Sequence, residues 1–202
     1  TDKQLTLDVT SLTASGLYNG KIVAVDDGNT INAAGGFNYN VTSTSGDAKG
    51  VVASGEDKDL NYGKVNEITV SATSGDAYGL AALNGAHLSG DKTVKTQSVD
   101  VTATTPGNTA YGLLSAGGSS LDAGQVGDIV VASAGNAYGV YASDDSALTA
   151  SIDSVTVSAS NDAYGGLASG DVSIDITASG NISTDVSGGS GCRVLQIFRS
   201  AT

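Results

Sequence analysis

Short runs of alternating apolar and polar residues fill this chain, and they recur. Ile68-Thr69-Val70-Ser71-Ala72, Val99-Asp100-Val101-Thr102-Ala103, Ile129-Val130-Val131-Ala132-Ser133 and Val155-Thr156-Val157-Ser158-Ala159 carry a β-branched residue at alternate positions, the pattern of a strand with one buried face. Ile174-Asp175-Ile176-Thr177-Ala178 reads as the next member of the series. After each of the first four comes a turn, Gly75-Asp76, Gly107-Asn108, Gly135-Asn136 or Asn161-Asp162, built from residues that tolerate positive φ.

Behind each turn stands the same short signature: Ala77-Tyr78-Gly79-Leu80, Ala110-Tyr111-Gly112-Leu113, Ala137-Tyr138-Gly139-Val140 and Ala163-Tyr164-Gly165-Gly166, with a weaker copy at Ala48-Lys49-Gly50-Val51. From the central residue of one copy to the next the spacing is 29, 33, 27 and 26 residues. Leu88, Leu121 and Leu148 follow three of the tyrosines at an offset of ten, and Ile174 stands at the same offset from Tyr164. That last match suggests that the final coil drops a strand or borrows the next one. Each repeat thus reads as three strands separated by corners, about 27 residues in all, which is a period rather than a tandem copy.

A unit this small cannot bury its apolar face alone. Stacked about 4.8 Å from its neighbours it pairs its backbone and shares a continuous core, so the fold expected is all-β, a parallel β-solenoid with about three strands per coil. Equivalent residues then form ladders. Val70, Val101, Val131 and Val157 are expected to make one inward ladder and Leu88, Leu121 and Leu148 another. Tyr78, Tyr111, Tyr138 and Tyr164 should make an outward one, beside a turn, with hydroxyls exposed. Structural stacking is the plain role for these tyrosines.

Residues 1–188 are assigned to this β-helix, as irregular coils over 1–66 and regular repeats over 67–188. Leu5-Thr6-Leu7-Asp8-Val9, Lys21-Ile22-Val23-Ala24-Val25, Ile31 and Phe37-Asn38-Tyr39-Asn40-Val41 supply the strands of the early coils. Residues 189–202 read as a Gly/Ser linker and an atypical tail, with Cys192 and both arginines, Arg193 and Arg199. That tail fits an appended segment as well as it fits a strand capping the solenoid. Thr1, with no initiator Met or signal sequence before it, reads as the start of a processed chain or an excised fragment.

Charge narrows the partners. Nine Lys and Arg against 21 Asp and Glu give a net charge of −12, which disfavours nucleic acid and anionic lipid surfaces. No stretch of 18 apolar residues is present, so no direct membrane insertion of this segment is expected. The single cysteine rules out an intrachain disulfide.

Candidate chemistry is sparse, and no catalytic, cofactor-binding or metal-binding residue is assigned. His87 is the one histidine; serine and aspartate are so abundant that a Ser-His-Asp coincidence carries no weight. One His and one Cys do not make a zinc set. Polysaccharide lyases on parallel β-helices use a basic residue near calcium-binding acids, and the repeat body has no Arg. Hydrolases use clustered carboxylates, whereas Asp26-Asp27 and Asp144-Asp145 fall in apparent turns. Neither pair precedes the glycine-rich nonapeptide of calcium-binding rolls. Thr69, Thr102 and Thr156 lie on the outward side of one strand register with Val130 interrupting them, too broken a rank for ice binding.

The imperfect Ser/Thr/Gly/Asn/Asp-rich coils, the Val-x-Ala strands before Gly-Asn turns, the acidic balance and the scarcity of Cys resemble the passenger region of a Gram-negative autotransporter, over residues 1 to 188. The resemblance implies a right-handed β-helix displayed at the outer cell surface or secreted, serving attachment or self-association without catalysis. Its partners would be a glycan or protein on a host or neighbouring cell, or a second copy. The family has no shared catalytic residues to carry over. The chain departs from it in lacking a signal peptide and a C-terminal β-barrel. A polysaccharide-binding or polysaccharide-degrading β-helix is the alternative.

Overall fold

The computed structural model describes residues 37–63, 65–187 and 191–197 together with four earlier strands, Gln4–Leu7, Ser11–Gly16, Gly20–Val23 and Asn29–Ala33; side chains are described over 38–63 and 65–187. Over these residues the chain is all-β, a parallel β-solenoid with three faces per coil. No helix long and apolar enough to cross a membrane occurs among them.

The first face stacks Gln4–Leu7, Asn29–Ala33, Asp59–Asn61, His87–Ser89, the opening parts of Ser120–Ser133 and Ala147–Ala159, and Ser173–Ala178. The second stacks Ser11–Gly16, Phe37–Ser43, Val65–Ala72, Thr96–Ala103, the closing parts of the same two long strands, and Ile182–Val186. The third is a separate 7-stranded sheet of Gly20–Val23, Ala48–Ser54, Ala77–Leu83, Thr109–Ala116, Asn136–Ser143, Asp162–Ser169 and Gly191–Ile197. Every pairing is parallel, because each coil returns to the same face in the same direction.

Side chains of like type meet like along the axis. Val70 pairs with Val101, Val101 with Val131 and Val131 with Val157, and all four are at most 1% exposed. Leu60, Leu88, Leu121, Leu148 and Ile174 form the corresponding ladder of the first face. Alternation delivers this core directly: in Val65–Ala72 the even positions from Ile68 onward are buried while Thr69 is exposed. The turns keep register too. The amides of Thr73, Thr104, Ala134, Ser160 and Ser187 donate to the carbonyls of Ser43, Ala72, Ala103, Ser133 and Ala159 in the adjacent coils, at 2.8–3.0 Å.

Three readings of the sequence change. Ser173–Ala178 is not the last Val-x-Val strand; it pairs with Ala147–Ile152 on the first face, and Ile174 simply continues the leucine ladder. The last coil drops nothing, because Ile182–Val186 pairs with Val155–Ala159 and fills the second face. The confusion arises because an Ile-x-Ile alternation suits either face. Thr69 and Thr156 share a row with Asp100 and Val130, whereas Thr102 belongs to the next row, with Ser71, Ala132 and Ser158. Asp26-Asp27 and the side chains of Cys192, Arg193 and Arg199 lie outside the described residues. The backbone of Gly191–Ile197 pairs in register with Asp162–Ser169, extending the third face.

The corner after the third face is left-handed. Asn84 and Gly85 have φ of 57° and 81°, Gly117 and Gly118 of 69° and 73°, Asp144 and Asp145 of 57° and 58°. Buried serines satisfy its polar groups: Ser115 Oγ donates to the Ser119 carbonyl at 3.1 Å, and Ser119 Oγ donates to that of Ala116 at 2.7 Å. Asp144-Asp145 therefore occupies a place where other coils carry Asn-Gly and Gly-Gly. A left-handed L-residue other than glycine costs about 1 kcal/mol. Asp145→Gly should accordingly raise stability by about 1 kcal/mol, read as a Tm increase of about 2–4 °C; an unchanged or lower Tm would show the corner relaxes at no cost.

Candidate functional site

The third face carries the feature that packing alone does not account for. Alternation breaks inside its strands at the glycine. Ala77 points inward and is fully buried. A Cβ at Gly79 would lie 2.6 Å from Val99 Cγ1 and 3.0 Å from Val101 Cγ2, so this residue also faces the core. Leu80 then joins the same core. With two successive residues turned inward, Tyr78 and Ala81 emerge as neighbours on the outside. Gly112, Gly139 and Gly50 repeat the close approach, each with a virtual Cβ 2.5–2.6 Å from the carbonyl oxygen of the next coil's glycine. The glycine of the Ala-Tyr-Gly signature is thus a seam between the second and third faces, where no side chain fits.

Outside the seam, Tyr78, Tyr111, Tyr138 and Tyr164 stack in one half-buried row. Their ring centroids stand 5.3, 5.2 and 5.2 Å apart at interplanar angles of 11°, 10° and 5°. The planes are near parallel, so each ring turns its faces toward its neighbours along the row. A second outward row, Val52, Ala81, Leu114, Tyr141 and Leu167, runs beside it. Tyr141 lies 5.0 Å from Tyr138 and 6.0 Å from Tyr111, and Tyr78, Tyr111 and Tyr141 together with Leu83 and Ala116 pack against the buried Val52, Ala81 and Leu114. Sequence reasoning missed this second row. Its signal was the apolar residue three places after each tyrosine, hidden by the assumption of unbroken alternation.

Acids fix the start of the row. Asp47 Oδ1 accepts the Asp76 amide at 3.1 Å, and Asp76 Oδ1 accepts that of Thr109 at 2.7 Å, so each carboxylate ties one coil to the next. Tyr78 Oη donates to Asp76 Oδ2 at 3.3 Å. At the end of the stack, Lys49 Nζ sits 5.9 Å from the Tyr78 centroid and 3.3 Å from Asp47, a cation over an aromatic face.

This setting holds the phenol protons. Burial, then the charges of Asp76 and Asp47, raises Tyr78 well above the usual phenol range. Burial and then neighbouring Tyr138 push Tyr111 up to about 12, and burial raises Tyr138 as well. Because the folded values lie above the unfolded value of 10.0, the associated stability is present in full below that pH. It is lost as pH rises through the folded values, the unfolded chain ionising first. Stability measured against pH should therefore fall above pH ~10, with the ultraviolet tyrosinate signal of the folded chain delayed. A normal titration with flat alkaline stability would contradict the burial of the row.

Elsewhere, the ladder brings Asp59, His87 and Ser120 into one outward row of the first face. His87 Nδ1 lies 2.6 Å from Ser120 Oγ. The Ser120 amide is engaged with the Ala86 carbonyl at 2.9 Å, leaving the backbone donor an oxyanion would need already committed. Among the described residues no three His, Cys, Asp or Glu side chains converge as a metal would require. Lys95 pairs with Asp153 across two coils, and Lys92 with Asp122 at 2.7 Å. An open groove of about 360 Å³, lined by Thr102, Thr104, Ser133, Ser158, Ser160 and Asp185 among others, runs along the corner before the tyrosine row.

Comparison with known proteins finds no matching family, no matching curated protein and no matching solved structure.

Proposed function

We propose that this chain is a segment of a non-catalytic stalk or adhesin, displayed on the outer surface of a Gram-negative cell or secreted, that attaches or self-associates by lateral contact. The observation that carries the reading is the row of four half-exposed, mutually stacked tyrosines. Tyrosine offers large, rigid contact area with a hydroxyl at its edge and little entropy to lose. Repetition at every coil makes such contact multivalent, so weak single contacts add up. The resemblance to autotransporter passengers supports surface display, and the acidic net charge supports a partner other than nucleic acid or anionic lipid.

The polysaccharide reading draws on the hydroxyl-lined groove beside the tyrosines. Against it, the stacked rings cover one another's faces, on which a sugar ring would have to stack. Binding to immobilised glycans, to cells and to itself should be measured for the parent chain and for a variant with Tyr78, Tyr111, Tyr138 and Tyr164 each changed to Ser. Loss of cell or self-binding in a variant that keeps its β circular dichroism supports the proposal. Retained binding in that variant, or release of product from a panel of polysaccharides, would overturn it.

A further inference from the structure

The third face holds phenol rings of successive coils in permanent contact. Tyr111 lies 5.3 Å from Tyr78, 5.2 Å from Tyr138 and 6.0 Å from Tyr141. Tyr138 lies 5.0 Å from Tyr141 and 5.2 Å from Tyr164. Each of these contacts includes Tyr111 or Tyr138. The rings are half-buried, so an oxidant in solution can reach them, whereas Tyr39 and Tyr62 stand in the core at 1% exposure or less. Burial keeps the phenols of Tyr78, Tyr111 and Tyr138 protonated, so an electron taken from one must leave with a proton. At the first ring an acceptor for that proton is in place: Tyr78 Oη donates to Asp76 Oδ2 at 3.3 Å.

We propose that this row is a site of oxidative cross-linking, at which a peroxide-driven one-electron oxidant joins tyrosines of adjacent coils into dityrosine. Each of two phenols gives up its hydroxyl hydrogen, as an electron and a proton, and becomes a phenoxyl radical. The two radicals form a carbon–carbon bond between ring positions ortho to oxygen. The hydrogens displaced from those carbons move to the oxygens and restore both phenols. Hydrogen peroxide takes up the two electrons and two protons, its O–O bond breaks, and two waters leave. Coupling in solution waits for two radicals to meet; rings held in one stack need no encounter. The backbones already stand at strand spacing, so closure is a rotation of half-buried side chains. A link between Tyr111 and Tyr138 closes a loop of 27 residues and restrains the unfolded chain as a disulfide does. With its single cysteine the chain has no intrachain disulfide to do this. The proposal does not depend on what the tyrosine face attaches to.

The test treats the dilute full chain with a haem peroxidase and hydrogen peroxide and measures dityrosine by its fluorescence. Two double variants remove the same number of phenols and keep every ring. Tyr111→Phe with Tyr138→Phe leaves no two phenols in contact within the row, so the intrachain yield should fall about tenfold. Tyr78→Phe with Tyr164→Phe leaves Tyr111, Tyr138 and Tyr141 together and should keep about half of the yield or more. Mass spectrometry of the digested parent chain should find peptides bearing Tyr111 or Tyr138 joined to their neighbours in the row, lighter by two hydrogen atoms. No dityrosine in the parent chain, equal losses in the two variants, or links at Tyr39 or Tyr62 would each overturn the proposal. So would a yield that rises with protein concentration, which marks links between chains.

Discussion

Replacing Gly112 by alanine should cost the fold about 3 kcal/mol, although one methyl group is the whole change. The added Cβ would stand 2.5 Å from the Gly139 carbonyl oxygen, 2.6 Å from Ile129 Cγ2 and 3.1 Å from Val131 Cγ2. The carbonyl cannot retreat alone, because Thr109–Ala116 and Asn136–Ser143 are held by a parallel ladder on both sides of the glycine. Moving it means separating two coils. Gly107→Ala is the informative control: nothing lies within 4 Å of its virtual Cβ, but its φ is +90°, so only the left-handed backbone term of about 1 kcal/mol applies. Urea denaturation of both variants measures the difference. Adding Ile129→Ala to Gly112→Ala should not restore stability, since the carbonyl contact remains. Equal losses at Gly107 and Gly112, or rescue by Ile129→Ala, would show that the seam is softer than the distances imply.

Leu121→Ala should be nearly as damaging, at about 3 kcal/mol. Leu121 is 1% exposed and is packed in the ladder between Leu88 and Leu148. Removing it opens a void with coils on both sides that are fixed at the strand spacing and cannot close over it. In a solenoid each coil is supported by its neighbours, so an interior break weakens two interfaces at once. The same truncation at Ile174, half-buried in the same ladder, should cost about 1 kcal/mol. Thermal unfolding should separate the two by several degrees. If Ile174→Ala is as harmful as Leu121→Ala, burial is not what sets the stability of this ladder.

The valine and leucine ladders were legible because they follow from two local facts, a period of two within each strand and a recurring interval between strands. Val70, Val101, Val131 and Val157 could be aligned by eye, and the pairing keeps them in step. The tyrosine row was legible for the same reason. Less legible were short strands without alternation, such as Asp59–Asn61, where the pairing partners define the strand. The Ile-x-Ile pattern of Ser173–Ala178 fits the leucine ladder and the valine ladder equally well; only the position of Ile182–Val186 decides between them.

The glycine of Ala-Tyr-Gly shows where sequence stops. It could be read as a turn residue, but its reason is the distance to Val99 and to the next coil's carbonyl, which no single segment contains. The inward pair Gly79-Leu80 shifts the phase of the strand, and from that shift come both the second outward row with Tyr141 and the packing of the tyrosines against Leu114. Asp59, His87 and Ser120, scattered over 61 positions, likewise become neighbours only by stacking.

The sequence by itself determined that this chain is a parallel solenoid, since alternation and periodicity are local and survive without knowledge of contacts. It also determined the valine, leucine and tyrosine ladders of the regular coils. Only the tertiary structure decided which face each late strand joins, why glycine follows tyrosine and how the tyrosines lie over an aliphatic row. Those depend on the approach of one coil to another across the core, and that distance is written in no stretch of the chain shorter than two coils.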